Sequence, residues 1–96
     1  MIAKFYKEAF EELSGADEYM RLAMKEAHDH PQWAAKYHQM ARDEKGHAEH
    51  LFKMAEEEIA AHKEITPLEK SLIDEMRDEY HRMLHRTKTM IDMFSA

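Results

Sequence analysis

Glu44 and His47 stand three residues apart near the middle of the chain. On a helix, positions i and i+3 project to the same side, so both side chains can grip one metal ion. The spacing alone carries little. With 14 glutamates and 8 histidines in 96 residues, about one such pair arises by chance. The surroundings say more. The helical neighbours of Glu44 at three, four and seven positions are Tyr37, Met40, Ala41, His47, Ala48 and Leu51, apolar or aromatic but for His47. This places Glu44 and His47 within a buried stripe, where a carboxylate needs a partner or an ion. The bland alternative is a buried polar pair that fixes helix register.

A second lone charge lies upstream. In the series Phe5, Ala9, Glu12, Ala16, Tyr19, Ala23, only Glu12 is charged. Glu18 is the competitor, but Glu11, Ser14, Gly15, Arg21, Leu22 and Lys25 surround it, a solvated face. Glu12 is therefore chosen over Glu8, Glu11 and Glu18. Its bland alternative is a charge at the rim of a helical interface.

The elements that must position these groups are all helices. Val and Cys are absent, Gly and Pro number 2 each, and 13 Ala and 9 Met replace much of the usual Leu, Ile and Val. Ala and Met favour helix, and so thin an apolar complement makes a narrow stripe rather than a thick core. Pro31 and Pro67 divide the chain. Asp29 with Gln32, and Thr66 with Glu69, read as capping boxes, each with proline at or near the first helical position. Helix A is expected at about 2–28, helix B at 31–63 and helix C at 67–94, in a single domain of 1–96. Ile2, Tyr6, Ala9, Leu13, Ala16, Met20, Ala23 and Ala27 alternate steps of four and three along helix A. Helix C repeats this with Ile73, Met76, Tyr80, Met83, Thr87, Met90 and Phe94. At 1.5 Å per residue, helix B spans roughly 45–50 Å, beyond the ~30 Å diameter of a compact globule of this length. An antiparallel A–B hairpin that completes a four-helix bundle with a second copy is expected.

One chain then offers two Glu and one His, and two chains offer four Glu and two His. That is the ligand set of a dinuclear carboxylate centre in a four-helix bundle. Carboxylate and imidazole without thiolate suit iron or manganese, with zinc able to compete. Composition excludes other chemistries. Without cysteine there are no thiolate zinc sites, iron–sulfur clusters or cysteine nucleophiles. A net charge of −6 argues against nucleic acid. No run of some 18 apolar residues spans a membrane. The first residues lack the apolar core of a signal peptide, so a cytoplasmic location is expected.

The segment from Glu12 through Gly15 and Tyr19 to Ala23 has Glu, a small residue at +3, Tyr at +7 and Ala at +11. It resembles the first-helix signature of rubrerythrins and ferritin-like proteins. The segment from Tyr37 through Ala41, Glu44, His47 and Ala48 resembles the partner segment, and in size and layout the chain is most similar to the encapsulated ferritin family. This resemblance implies that Glu12, Glu44 and His47 from each subunit hold two iron ions per dimer. It implies that Tyr19 lies against the site and hydrogen-bonds or weakly ligates there. It implies ferroxidase activity, Fe(II) to Fe(III) with dioxygen, for iron storage or detoxification. It also implies dimers assembling into a larger ring and, as a further partner, an encapsulin shell enclosing the protein as cargo. Such cargo ends in a targeting peptide after a flexible spacer, whereas Met90–Ala96 continues the pattern of helix C with no Gly- or Ser-rich spacer.

Two alternatives stand beside this reading. A rubrerythrin-like peroxide reductase passes electrons through a cysteine-bound iron module, and this chain has no cysteine. A non-catalytic helical oligomer or adaptor would use Glu12, Glu44 and His47 to set register. Of the remaining candidates, Trp33 is expected as a packing anchor. His28 and His30 are expected at a turn surface, and His81 and His85 on a solvated face. His38 and His50 are candidates for positions around the site. The run Glu56-Glu57-Glu58 reads as a solvated face that, in a ring, could also attract Fe(II).

Overall fold

The computed structural model describes residues 2–95, less the side chain of Ser95. Helix α1 spans Ile2–Glu26, α2 Pro31–Ala61 and α3 Pro67–Ser95, and no strand occurs among the described residues. All three begin where expected. The first two end two residues early: the chain turns at 27–29, and His62 is already extended.

The capping box at Thr66 forms as its sequence predicts. The Glu69 backbone N–H donates to Thr66 Oγ1, and the Thr66 N–H donates to Glu69 Oε1, both at 3.1 Å. The one expected at Asp29 does not form. Residue His30 occupies the cap position of α2 with no side-chain bond, and its carbonyl accepts from the N–H groups of Trp33 and Ala34 at 3.0 Å. Pro31 at the first helical position has no N–H to satisfy, and the Asp29 carboxylate instead lies 2.9 Å from His28 Nδ1.

Helices α1 and α2 form an antiparallel hairpin, and α3 lies along one flank of it, parallel to α1. Contacts fix the register: Tyr6 meets Glu56, Glu12 meets His47, and Asp17 meets Thr87. The seam of α1 is buried from Tyr6 to Ala23 as its steps of four and three predict, with Tyr6, Ala9, Leu13, Ala16, Met20 and Ala23 all inaccessible, whereas Ile2 is half-buried and Ala27 is exposed in the turn. The facing seam of α2 is a ladder of alanines seven residues apart: Ala34, Ala41, Ala48 and Ala55. Methyl groups on both helices (Ala9, Ala16 and Ala23 on α1) let the two backbones run close together.

Polar clips, as well as apolar packing, hold α3 to the hairpin. Thr87 Oγ1 donates to Asp17 Oδ1 at 2.6 Å, and Arg86 Nε donates to Asp17 Oδ2 at 3.2 Å. Arg77 clasps Glu56 with two bonds of 2.8 and 2.6 Å, while the Tyr6 hydroxyl donates to the same carboxylate at 3.3 Å. His38 Nε2 donates to the Ile91 carbonyl at 3.0 Å, which leaves Nδ1 to accept from Arg42 at 3.4 Å. Phe52 and Tyr80 stack with ring centroids 4.1 Å apart.

The result is a rod of 54 × 18 × 16 Å with a radius of gyration of 15.7 Å, against about 12 Å for a compact chain of this length. No described helix is long and apolar enough to cross a membrane.

Candidate metal centre

With α3 on one flank, the opposite flank of the hairpin is uncovered, and the helical repeat decides what it displays. Beside the alanine ladder of α2 runs the half-buried row Tyr37, Glu44, Leu51 and Glu58. Beyond it lies the exposed row Trp33, Met40, His47 and Met54. Helix α1 contributes Phe5, Glu12 and Tyr19, half-buried, and Gly15. The stripe around Glu44 and His47 is therefore open within one chain, not buried as its sequence predicts. Two helices cover only one side of each other, and Met40 keeps 39 % of its surface exposed and Trp33 52 %. The indole of Trp33, expected to anchor packing, stacks on His30 at the turn instead.

Glu12, Glu44 and His47 converge on this open flank. Each offers a ligand atom, and the three atoms lie within 4.8 Å of one another. Donors about 2.0–2.2 Å from a first-row ion stand roughly 3–4.4 Å apart around it, so the trio is gathered near that range and must draw inward to close on an ion. His47 Nδ1 and Glu12 Oε2 are 3.6 Å apart, too long for a hydrogen bond. Glu12 Oε2 is buried and has no hydrogen-bond partner. A carboxylate oxygen shut away from water without a donor is a costly arrangement that a cation or a shared proton relieves.

Gly15 leaves room for the Glu44 carboxylate. A Cβ on Gly15 would stand 3.1 Å from Glu44 Oε2 and 3.8 Å from its Cδ, so the missing side chain is the space into which the Glu44 carboxylate leans. Glycine in mid-helix costs roughly 0.8–1 kcal/mol against alanine. The site thus carries a local penalty in exchange for its geometry.

The electrostatics agree. Hydrogen-bonding proximity to Glu12, then burial, then the negative charge of Glu12 push the Glu44 carboxyl up to about 7, with His47 pulling against them. When both carboxylates are ionised neither has a hydrogen to offer the other. The Glu44 carboxyl therefore keeps its proton to a higher pH than an isolated carboxylate does. A divalent cation supplies the positive charge that the proton otherwise provides.

The cleft in front of the trio has a volume of about 510 Å³ and is lined by Glu8, Glu11, Glu12, Glu44, His47, His50, Leu51 and Met54. His50 is thus beside the site. Its signal in sequence is its position one turn beyond His47. Residue His38 is elsewhere, buried against α3. Tyr19 is half-buried with its ring stacked on Tyr37, centroids 6.3 Å apart, and does not line the cleft. Glu18 is exposed and paired with Arg21. Glu56 is no free member of an acidic run, because Arg77, first of all, holds its carboxyl below the usual range.

The donors fit a first-row transition ion: two carboxylates and an imidazole, no thiolate, an orphaned buried oxygen, and a glycine where a Cβ would crowd the Glu44 carboxylate. They come from both helices of one hairpin and lie on its uncovered flank, so a single chain leaves the outer side of an ion to solvent or to another molecule. Compared with models of protein families, with curated proteins and with solved structures, the chain matches none.

Proposed function

We propose that this chain is one half of a ferritin-like di-iron carboxylate protein, a ferroxidase whose two-metal site is completed across a homodimer. The observation that carries the reading is the convergence of Glu12, Glu44 and His47 on an uncovered helical flank, with Glu12 Oε2 buried and unpartnered.

Two features support a second copy as the covering element. The chain exposes 6591 Å², against about 5,800 Å² for a compact monomer of 11.5 kDa. The excess is close to one partner's share of a standard interface, about 800 Å². The uncovered flank also carries the large apolar groups Trp33, Met40 and Met54, in one row of α2 with His47. Two such flanks meeting about a twofold axis would bring four Glu and two His together in a site closed on both sides.

In this reading Fe(II) is the substrate. Each ion gives up one electron to dioxygen. Glu12 and Glu44 neutralise the incoming charge and release the proton they share, and His47 adds a neutral donor. The second copy excludes water from the cleft, which strengthens every interaction inside it. Manganese or zinc would fit the same donors without the iron chemistry. Assembly of dimers into a ring, passage of iron to an encapsulin shell, and a role for Tyr19 at the site are further expectations carried by the family resemblance.

A non-catalytic helical oligomer is the second reading, favoured by the same exposed apolar row. One experiment separates them. Fe(II) added in air should give rapid near-ultraviolet absorbance growth with the native chain and none with Glu44→Ala or His47→Ala. Native mass measurement should show iron promoting dimers or larger assemblies. Equal iron oxidation by all three proteins would refute the ferroxidase reading.

A further inference from the structure

We propose that Met54 is a modification site, a thioether oxidised to the sulfoxide by hydrogen peroxide formed in the cleft; the inference rests on the ferroxidase reading. Met54 lies two helical turns beyond His47 on the same row of α2. It lines the cleft with Glu12, Glu44 and His47 and keeps 45 % of its surface exposed. Two more exposed methionines provide an internal comparison. Met24 is 49 % exposed and Met93 72 %, and neither lines the cleft. Exposure alone would rank Met93 first and place Met54 behind both.

The chemistry balances. Two Fe(II) and one dioxygen, with two protons, give two Fe(III) and one hydrogen peroxide. A sulfur lone pair of Met54 then attacks one peroxide oxygen. The O–O bond breaks, the S–O bond forms, and the departing hydroxide takes up a proton as water. Sulfur is oxidised by two electrons and peroxide reduced by two. Sulfoxide formation is reversible by dedicated reductases, so the thioether would act as a renewable trap beside the peroxide source. Covering of the flank by a second copy would confine the peroxide with Met54 and shield that residue from peroxide in bulk water.

The test is peptide mass spectrometry after Fe(II) turnover in air, with catalase in solution to remove free peroxide. Met54 sulfoxide should exceed that at Met93 and Met24 by on the order of tenfold, the advantage of local over bulk concentration. In the metal-free protein treated with hydrogen peroxide, the order should follow exposure, with Met93 first. Glu44→Gln, given the same Fe(II) and air, should show no preference for Met54. If iron is oxidised but Met54 carries no more sulfoxide than Met93, the inference is overturned and the ferroxidase reading survives. Preferential oxidation of Met54 by bulk peroxide, or its persistence in Glu44→Gln, overturns it as well. Absence of iron oxidation, read by absorbance in the same sample, overturns both.

Discussion

Replacing Glu44 by glutamine should stabilise the metal-free protein while removing its affinity for iron. Glutamine keeps the shape of the side chain, loses the charge, and gains an amide N–H₂ that can donate to the orphaned Glu12 Oε2. The magnitude follows from the Glu44 carboxyl, raised from 4.5 to about 7 in the fold. Because the folded value lies above the unfolded one, its contribution to stability is fully present below about 4.5 and is lost as the pH rises through 7. At 1.36 kcal/mol per unit the full loss is about 3.4 kcal/mol, which the partial exposure of the pair trims to about 2–3 kcal/mol. Urea unfolding with chelator present, at one fixed low protein concentration, measures it. The stability difference between Glu44→Gln and the native chain should be about 1 kcal/mol at pH 5.5 and should grow to about 2–3 kcal/mol by pH 8.5. The carboxyl of Glu56 is held low by Arg77 and that of Glu69 by the Thr66 N–H, so both stay ionised across this window and cancel from the comparison. A difference that does not change with pH, or a variant less stable than the native chain at pH 8.5, would refute the charge-pair argument.

Other perturbations probe the remaining parts. Gly15→Ala should raise metal-free stability by up to about 1 kcal/mol through helix propensity. It should also weaken Fe(II) or Zn(II) binding by calorimetry, because its Cβ displaces the Glu44 carboxylate. Asp17→Ala strands the buried Thr87 hydroxyl and releases Arg86. It should cost about 2–3 kcal/mol and lower Tm by at least several degrees, with iron affinity little changed. Metal affinity should rise between pH 6 and 8 with release of about one proton per site, readable by calorimetry in buffers of different ionisation enthalpy. Met40→Glu places a charge on the uncovered flank. It should shift sedimentation toward monomer and suppress iron oxidation while leaving the helical circular dichroism intact.

The parts of the fold that follow from local rules are legible in the sequence. The four-and-three steps of α1 are its buried seam, and Thr66-Pro67-Leu68-Glu69 starts α3 with both reciprocal bonds. The convergence of Glu12 with Glu44 and His47 was likewise legible, since a charge among apolar helical neighbours must answer to something. The same rule applies to Asp17, whose helical neighbours include Phe10, Leu13, Met20 and Met24, yet its partner is on α3 rather than α2. No local pattern distinguishes a charge that meets another helix of its own chain from one that waits for an ion. The hold of Arg77 on Glu56 was hidden because it joins residues 21 apart across two helices. The openness of the Glu44 row was hidden for a geometric reason. Periodicity identifies an apolar face, but it does not say whether that face is covered within the chain or by another one.

The alanine ladders have a consequence for any attempt to retune the site. Glu12 and His47 belong to different helices, so the bite of the trio is set by how closely the two rods lie, and methyl groups set that spacing. The hairpin behaves as a pair of calipers whose jaws are the acidic groups and whose screw is the ladder. A larger ion would be admitted by enlarging Ala16 or Ala41 in the seam, with every donor left in place.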